Sequence, residues 1–285
     1  MYVPSSVSGE SAGLMVSLHG CTQKGDDMKT LGNWVAAAER NKMIVALPTV
    51  PEGGVVMGCW DYYGPNHTET NRYNGRVIGL TQALMREQPV DAARVYISGL
   101  SSGSAQAMIV GCLRPDLYAG VGLSAGPVVG SEMSDIYQPR ISPEVATETC
   151  IRLAGPRAPF FQTQLVSIIF DEQDRVVNAG HSQIAAQVMG TIYGAINRAE
   201  LDLSQLAGKN TRGYGAIFSD ALGRPRISYI MNQGLGHAWP SGSGSQASVY
   251  FPSFPSAYPS NRYINGNSID YPLYLGQFFN AARLR

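Results

Sequence analysis

The chemistry in this chain centres on Ser101, in the stretch Val95-Tyr-Ile-Ser-Gly99-Leu-Ser101-Ser-Gly103-Ser-Ala105. The pattern is G-x-S-x-G, lying between a run that reads as a strand and one that reads as a helix, the context a nucleophile elbow requires. A serine on such a turn presents its hydroxyl at the N-terminus of the following helix, where free N–H groups favour a developing oxyanion. Without that context the pattern would read as an ordinary turn with a capping serine, since it recurs by chance in a chain with 32 glycines.

A serine nucleophile needs a base, and the base needs an acid to orient it. Four histidines are present: His19, His67, His181 and His237. In one recurrent arrangement the chain order is serine, acid, histidine. His19 and His67 precede Ser101 and drop out on that order. His181 opens a helical stretch and reads as a surface residue. His237 follows the last strand-like run, in Gly234-Leu-Gly236-His237-Ala-Trp239-Pro, and is the candidate base. The acid should lie on the loop that carries Asp171, Glu172 and Asp174. Asp174 is favoured, because a turn of a residue or two is needed to bring a carboxylate round to His237; Asp171 remains the alternative. For the oxyanion, one donor should be the N–H of Ser102. The other should come from the loop His19-Gly-Cys-Thr-Gln23, where Gly20 lets the backbone turn and Cys21 N–H follows. His19 itself reads as structural, with its ring bonded to a nearby loop.

Several elements must position these residues. Apolar runs at 14–18, 43–47, 95–98, 120–123, 165–170 and 227–231 read as buried strands, which form continuous apolar runs in parallel sheets. Helical spacing marks 26–40, 74–87, 105–113, 182–198 and 271–284. The alternation predicts an α/β fold with a mostly parallel sheet. Residues 213–219 and 226–231 flank 220–223 as a local antiparallel hairpin with Gly223 in its turn. The stretches 127–164 and 241–268 break the rhythm and read as irregular excursions. With no repeat or interdomain linker visible, residues 1–285 are expected to form one domain.

Composition excludes whole classes. The chain has 285 residues, with 21 Lys+Arg against 21 Asp+Glu and a net charge of zero. It therefore lacks the basic excess of a nucleic-acid binder. A hydrophobic content of 44% excludes a disordered protein. No apolar run is long enough to span a membrane. None of Cys21, Cys59, Cys112 and Cys150 lies in a spacing that suits zinc, and no metal or cofactor is expected. Four cysteines allow three pairings. Two disulfides in an exported protein, secreted or periplasmic, is the preferred reading; a cytoplasmic protein with four buried thiols is the alternative. No signal peptide is visible at Met1-Tyr2-Val3-Pro4, which fits either a cytoplasmic protein or an exported one whose signal was removed, with the native start then trimmed.

The motifs His19-Gly-Cys-Thr-Gln23, Cys59-Trp60, Gly99-Leu-Ser-Ser-Gly103 and Gly236-His237-Ala-Trp-Pro240 resemble the polyhydroxybutyrate depolymerase family of esterases, from about Leu14 to His237 and more loosely beyond. The resemblance implies an α/β-hydrolase fold without a large cap domain, and hydrolysis of ester bonds in poly(3-hydroxybutyrate), related short-chain polyhydroxyalkanoates or their oligomers. It maps Ser101, Asp174 and His237 as nucleophile, acid and base, because Asp174-Arg-Val-Val177 fits the family's D-x-x-V. Phe170-Asp171 departs from the family's His-Gly, which keeps Asp171 open as the acid. The resemblance also implies a Cys21–Cys59 bridge and, with it, a Cys112–Cys150 bridge.

An uncharged polyester offers nothing for charges to grip, so exposed aromatics are expected to make contact. Trp60, Trp239, Tyr62 and Tyr63 are the candidates beside the motifs, with Tyr250, Phe251, Phe254 and Tyr258 a second group. The expected partner is the polymer or oligomer, met by a monomer without nucleic acid or membrane insertion. Two other functions compete: a carboxylesterase of the acetylxylan or feruloyl type, and a non-catalytic polymer-binding protein with a vestigial triad.

Overall fold

The computed structural model describes residues 1–7, 11–243 and 263–285. In chain order the main elements are β1 (Ala12–Leu18), α1 (Gly25–Leu31), α2 (Trp34–Asn41), β2 (Met43–Ala46), α3 (Arg72–Glu87), β3 (Val90–Leu100), α4 (Ser102–Leu113) and β4 (Gly120–Ser124). After these come α5 (Pro143–Ala154), β5 (Leu165–Phe170), α6 (Gly180–Tyr193), β6 (Asn197–Glu200), β7 (Gly213–Ser219), β8 (Pro225–Asn232), β9 (Trp239–Pro240), β10 (Ile264–Asn265) and α7 (Tyr271–Ala281). Eight strands form one sheet in the order β2-β1-β3-β4-β5-β8-β7-β6. The pairings from β2 to β8 are parallel, and β7 and β6 add an antiparallel edge.

The parallel strands β1, β2, β4 and β5 are buried on both faces, which explains their continuous apolar runs. Successive side chains of a strand point to opposite faces. Leu14, Val16, Val95, Ile97, Val166 and Ile168 pack with residues of α3, α4, α5 and α6. Met15, Tyr96 and Ile169 pack on the other side with α1, α2 and α7. The result is a three-layer α/β-hydrolase fold. Parallel pairing places the carboxyl ends of β1, β3, β5 and β8 along one edge, and the loops that leave them carry the candidate site.

Local structure departs from the sequence reading in several places. The helix expected over 26–40 is two helices broken at Gly32-Asn33, where Asn33 takes φ 60°. A Cβ on Gly32 would lie 2.4 Å from Met28 O, so the close C-cap of α1 requires glycine. The helix expected over 182–198 stops at Gly194, in left-handed conformation, and 197–200 becomes the exposed edge strand β6. The excursion 127–164 contains α5, which starts at the Ser142 cap with Pro143 at its first turn and packs on α4 and α6. Of the excursion 241–268, residues 244–262 lie outside the described residues. No helix among the described residues is long and apolar enough to cross a membrane.

Candidate active site

β3 delivers Ser101 at a sharp turn with φ 56° and ψ −121°, a strained backbone for a non-glycine residue. Ser101 N–H donates to Ser124 O at 2.9 Å, and α4 starts at the next residue. The two flanking glycines are steric requirements. A Cβ on Gly99 would lie 2.3 Å from the carbonyl of Gly103, and one on Gly103 would lie 2.4 Å from His19 O. Strand, helix and the loop after β1 meet backbone to backbone here, so no side chain could yield. Ser101 is 8% exposed, and Ser102 N–H, in the first turn of α4, has no acceptor within the helix.

The loop after β1 is held at almost every polar atom. Val50 N–H donates to His19 Nε2 at 3.0 Å, so Nδ1 carries the proton and donates to Gly20 O at 2.6 Å. Burial lowers the His19 imidazole below its ordinary pKa and keeps it neutral. Trp60 Nε1–H donates to His19 O, Gly20 N–H to Gln23 Oε1, Gln23 N–H to Gly20 O, and Thr22 N–H to Met57 O. A Cys21–Cys59 disulfide ties the same loop to the one before Trp60, and a Cys112–Cys150 disulfide joins α4 to α5. Cys21 N–H is left without an acceptor among the described residues. The Cys21 sulfur lies 3.3 Å from Ser102 Oγ, so the two residues expected to supply the oxyanion donors are neighbours.

Acid and base come together across the sheet edge. His237 Nδ1 and Asp174 Oδ2 are 2.8 Å apart, with side chains only 6% and 1% exposed. Asp174 Oδ1 accepts from Val176 N–H at 2.7 Å and Val177 N–H at 3.0 Å, which leaves Oδ2 aimed at the ring. Leu235 and Ala238, on either side of His237, pack in the same cluster as Leu100 and Ala125 beside the elbow. Ser101 Oγ makes no hydrogen bond with a described residue, and nucleophile–base contacts of this kind commonly tighten when substrate binds. Asp171 does not face the histidine ring: its carboxylate accepts from the N–H groups of Gln173, Gly234 and Gly236.

Several aromatic and histidine expectations need correction. Trp60 and Trp239 are 1% and 0% exposed, so neither is a surface contact. Trp60 caps the loop after β1 through its indole N–H. Trp239 stacks on Trp34 at 5.4 Å and donates to Gly32 O. Their large rings fill the space beneath the loops, which stabilises more than exposing them. Tyr62 is also buried, with its ring against half-buried Tyr63 at 4.3 Å. The group Tyr250, Phe251, Phe254 and Tyr258 lies outside the described residues. His181 is buried rather than superficial: it accepts from Val128 N–H and its other nitrogen donates to Asp135 O. Sequence reasoning missed Tyr263, whose ring meets that of His237 edge-on at 5.6 Å. It also missed Asn265, whose Nδ2 donates to Gly234 O and Leu235 O. No local signal marks either, since both reach the site from a distant stretch of chain.

A serine on a strand–helix elbow, a carboxylate-bound histidine after a later strand and a mostly parallel sheet between two helical layers define the α/β-hydrolase class. Within that class the chain belongs to the Esterase PHB depolymerase family, whose sequence profile matches residues 1–197. It is 27% identical over 292 residues to the poly(3-hydroxybutyrate) depolymerase of Ralstonia pickettii, covering 99% of this chain and 56% of that protein. It is 24% identical over 286 residues to poly(3-hydroxyalkanoate) depolymerase C of Paucimonas lemoignei, covering 98% and 65%. Acetylxylan esterase A of Aspergillus ficuum is 27% identical over 141 residues, covering 48% of this chain and 45% of that protein. The chain thus spans 56% and 65% of the two depolymerases it matches end to end. Among solved structures, an acetyl xylan esterase from Aspergillus awamori superposes with a TM-score of 0.69 at 17% identity, covering 83% of this chain and 87% of that one, a likeness of fold.

Proposed function

We propose that the protein is a serine esterase that hydrolyses ester bonds of short-chain polyhydroxyalkanoates and their oligomers, acting as one catalytic domain. The observation that carries this reading is the buried His237–Asp174 contact at 2.8 Å, on the same sheet edge as the Ser101 elbow. With Nδ1–H held by Asp174, His237 Nε2 is the free base. It takes the proton as Ser101 Oγ attacks the ester carbonyl. The developing oxyanion is received by the N–H groups of Cys21 and Ser102, backbone donors that need no reorganisation. Collapse returns the proton to the leaving hydroxyl, and water then hydrolyses the acyl-enzyme by the same route.

The end-to-end similarity to two depolymerases supports a polyester substrate, whereas the acetylxylan esterase likeness covers about half the chain. Two disulfides suit an oxidising compartment, so we place the protein outside the cytoplasm. With both tryptophans buried, an apolar contact for the polymer among the described residues is the tip Val55-Val56-Met57, exposed by 38%, 41% and 69% and joined to the Cys21 loop through Cys59. Product release from amorphous and crystalline poly(3-hydroxybutyrate), measured beside acetylated xylan, tests the reading. Hydroxybutyrate oligomers are expected from the wild type, and none from Ser101→Ala, which still adsorbs. A clear preference for xylan refutes the substrate, and activity surviving Ser101→Ala refutes the nucleophile.

A further inference from the structure

Asp171 is a buried carboxylate, 2% exposed, for which the triad has no use. Burying a charge is unfavourable unless hydrogen bonds compensate it, and replacing such a group by apolar packing is often neutral or stabilising. Its contacts supply a reason for its presence other than net stability. Asp171 Oδ2 accepts from Gly234 N–H at 3.0 Å and from Gly236 N–H at 2.8 Å. Those two residues bracket the turn before His237, and both hold left-handed backbone, φ 83° and 63°. The alternate N–H groups of Gly234 and Gly236 then converge on one point, while Leu235 N–H between them donates to Asn232 O, a concavity of the kind that binds anions. Here the anion is the protein's own side chain.

The same residue also shapes the acid's loop. Asp171 Oδ1 accepts from Gln173 N–H at 3.0 Å, and Asp171 O accepts from Asp174 N–H at 3.2 Å. One residue at the end of β5 thus fixes the turn that presents Asp174 and the turn that presents His237. These turns are 63 positions apart in the chain and must agree to within tenths of an ångström for a 2.8 Å contact. From the opposite side Asn265 Nδ2 grips Gly234 O and Leu235 O, both at 3.1 Å, so the peptide groups before His237 are held from two directions.

We propose that Asp171 is a positioning residue that locks the loop bearing His237 onto the loop bearing Asp174, and so sets the alignment of base and acid without touching substrate. The inference rests on the serine-esterase reading above. The test compares wild type, Ser101→Ala, Asp174→Asn, Asp171→Ala, Asp171→Asn and Asp171→Glu on p-nitrophenyl butyrate, with turnover normalised to active sites titrated by burst amplitude.

Asp171→Ala is expected to lower kcat about 100-fold, the effect of a misplacement near 1 Å, with KM within about two-fold of wild type. Asp171→Asn should recover part of that loss, because its oxygen can still accept from both glycine N–H groups while its NH2 leaves only Gln173 N–H without an acceptor. Asp171→Glu keeps the charge but moves the acceptor outward, and should lose activity like the alanine variant. If Asp171→Ala does not fold, the glutamate and asparagine variants decide alone. Folded Asp171→Ala or Asp171→Glu protein with wild-type kcat overturns the proposal. So does a mild Asp174→Asn beside a deep Asp171→Ala, which transfers the acid role. An inactive wild type, or an active Ser101→Ala, instead overturns the esterase reading on which the proposal depends.

Discussion

Replacing Asp174 by asparagine exchanges one oxygen for an NH2 and leaves the side-chain volume nearly intact, yet the hydrogen-bond pattern around it has no harmless way to accept an amide. The carboxylate uses one oxygen for Val176 and Val177 N–H and the other for His237 Nδ1. If the amide oxygen stays on the two backbone donors, the amide NH2 faces Nδ1. The ring must then accept there and carry its proton on Nε2, so no lone pair is left to receive the Ser101 proton. If the amide turns round, His237 keeps the working tautomer, but NH2 now faces two backbone N–H groups that lose their acceptor. Each such group costs about 1–3 kcal/mol, roughly 2–6 kcal/mol together. At about 1.36 kcal/mol per factor of ten, the working arrangement becomes about 30-fold to 10⁴-fold rarer. Steady-state turnover of p-nitrophenyl butyrate, normalised by burst titration, should show kcat reduced by that factor with KM little changed and melting temperature close to wild type. A folded Asp174→Asn enzyme with kcat within about three-fold of wild type refutes the reasoning, because either amide orientation forbids it.

The two disulfides give a matched comparison: each closes a loop with a sequence separation of 38, worth about 4 kcal/mol on chain entropy. Double alanine variants of either pair should lose similar thermal stability by calorimetry, but only the Cys21/Cys59 pair should also lower kcat, because only that bridge holds the loop with the oxyanion donor. Gly103→Ala drives a Cβ to 2.4 Å from His19 O and 2.5 Å from Leu18 O; about 3 kcal/mol of destabilisation or more is expected from chemical denaturation, with activity lost as the elbow shifts. Burial pushes the Asp270 carboxyl up to about 6, above its ordinary value near ~3.9. A raised pKa in the folded state means that folding favours the protonated form, so this contribution is complete below about pH 4 and is lost as pH rises through about 6. Asp270→Asn should therefore gain melting temperature relative to wild type on going from about pH 4 to about pH 7.5.

Much of the catalytic frame was legible because its signals are local. The elbow is a strand, a tight turn and a helix within eleven residues, and steric demands at Gly99 and Gly103 write themselves into the sequence. The central strands read as apolar runs because both faces of the sheet are covered, and β5 was located to the residue. The helix break at Gly32-Asn33 was hidden, since apolar spacing runs on across a cap. The strand β6 leaves no trace in the sequence, and the helical spacing runs on over its first two residues, because an exposed edge strand of Asn-Arg-Ala-Glu has no apolar pattern to display. The tryptophans were misread for the same kind of reason: proximity to a motif says nothing about which side of the loop a ring faces.

What the sequence determined by itself is the inventory and order of the chemistry: a serine on an elbow, a later carboxylate loop, a later histidine between glycines, and few charges around them. What only the tertiary structure decided is which groups meet. Asp171 and Asp174 share one short loop and one side-chain chemistry; the residues around Asp174 favour it as the acid, but only the packed structure shows Asp171 holding the backbone at Gly234 and Gly236 while Asp174 meets the ring of His237. That assignment depends on how two turns more than sixty residues apart are brought together by the parallel pairing of β5 with β8. Hydrogen bonds discriminate on tenths of an ångström and tens of degrees, and geometry on that scale is a property of the packed sheet edge.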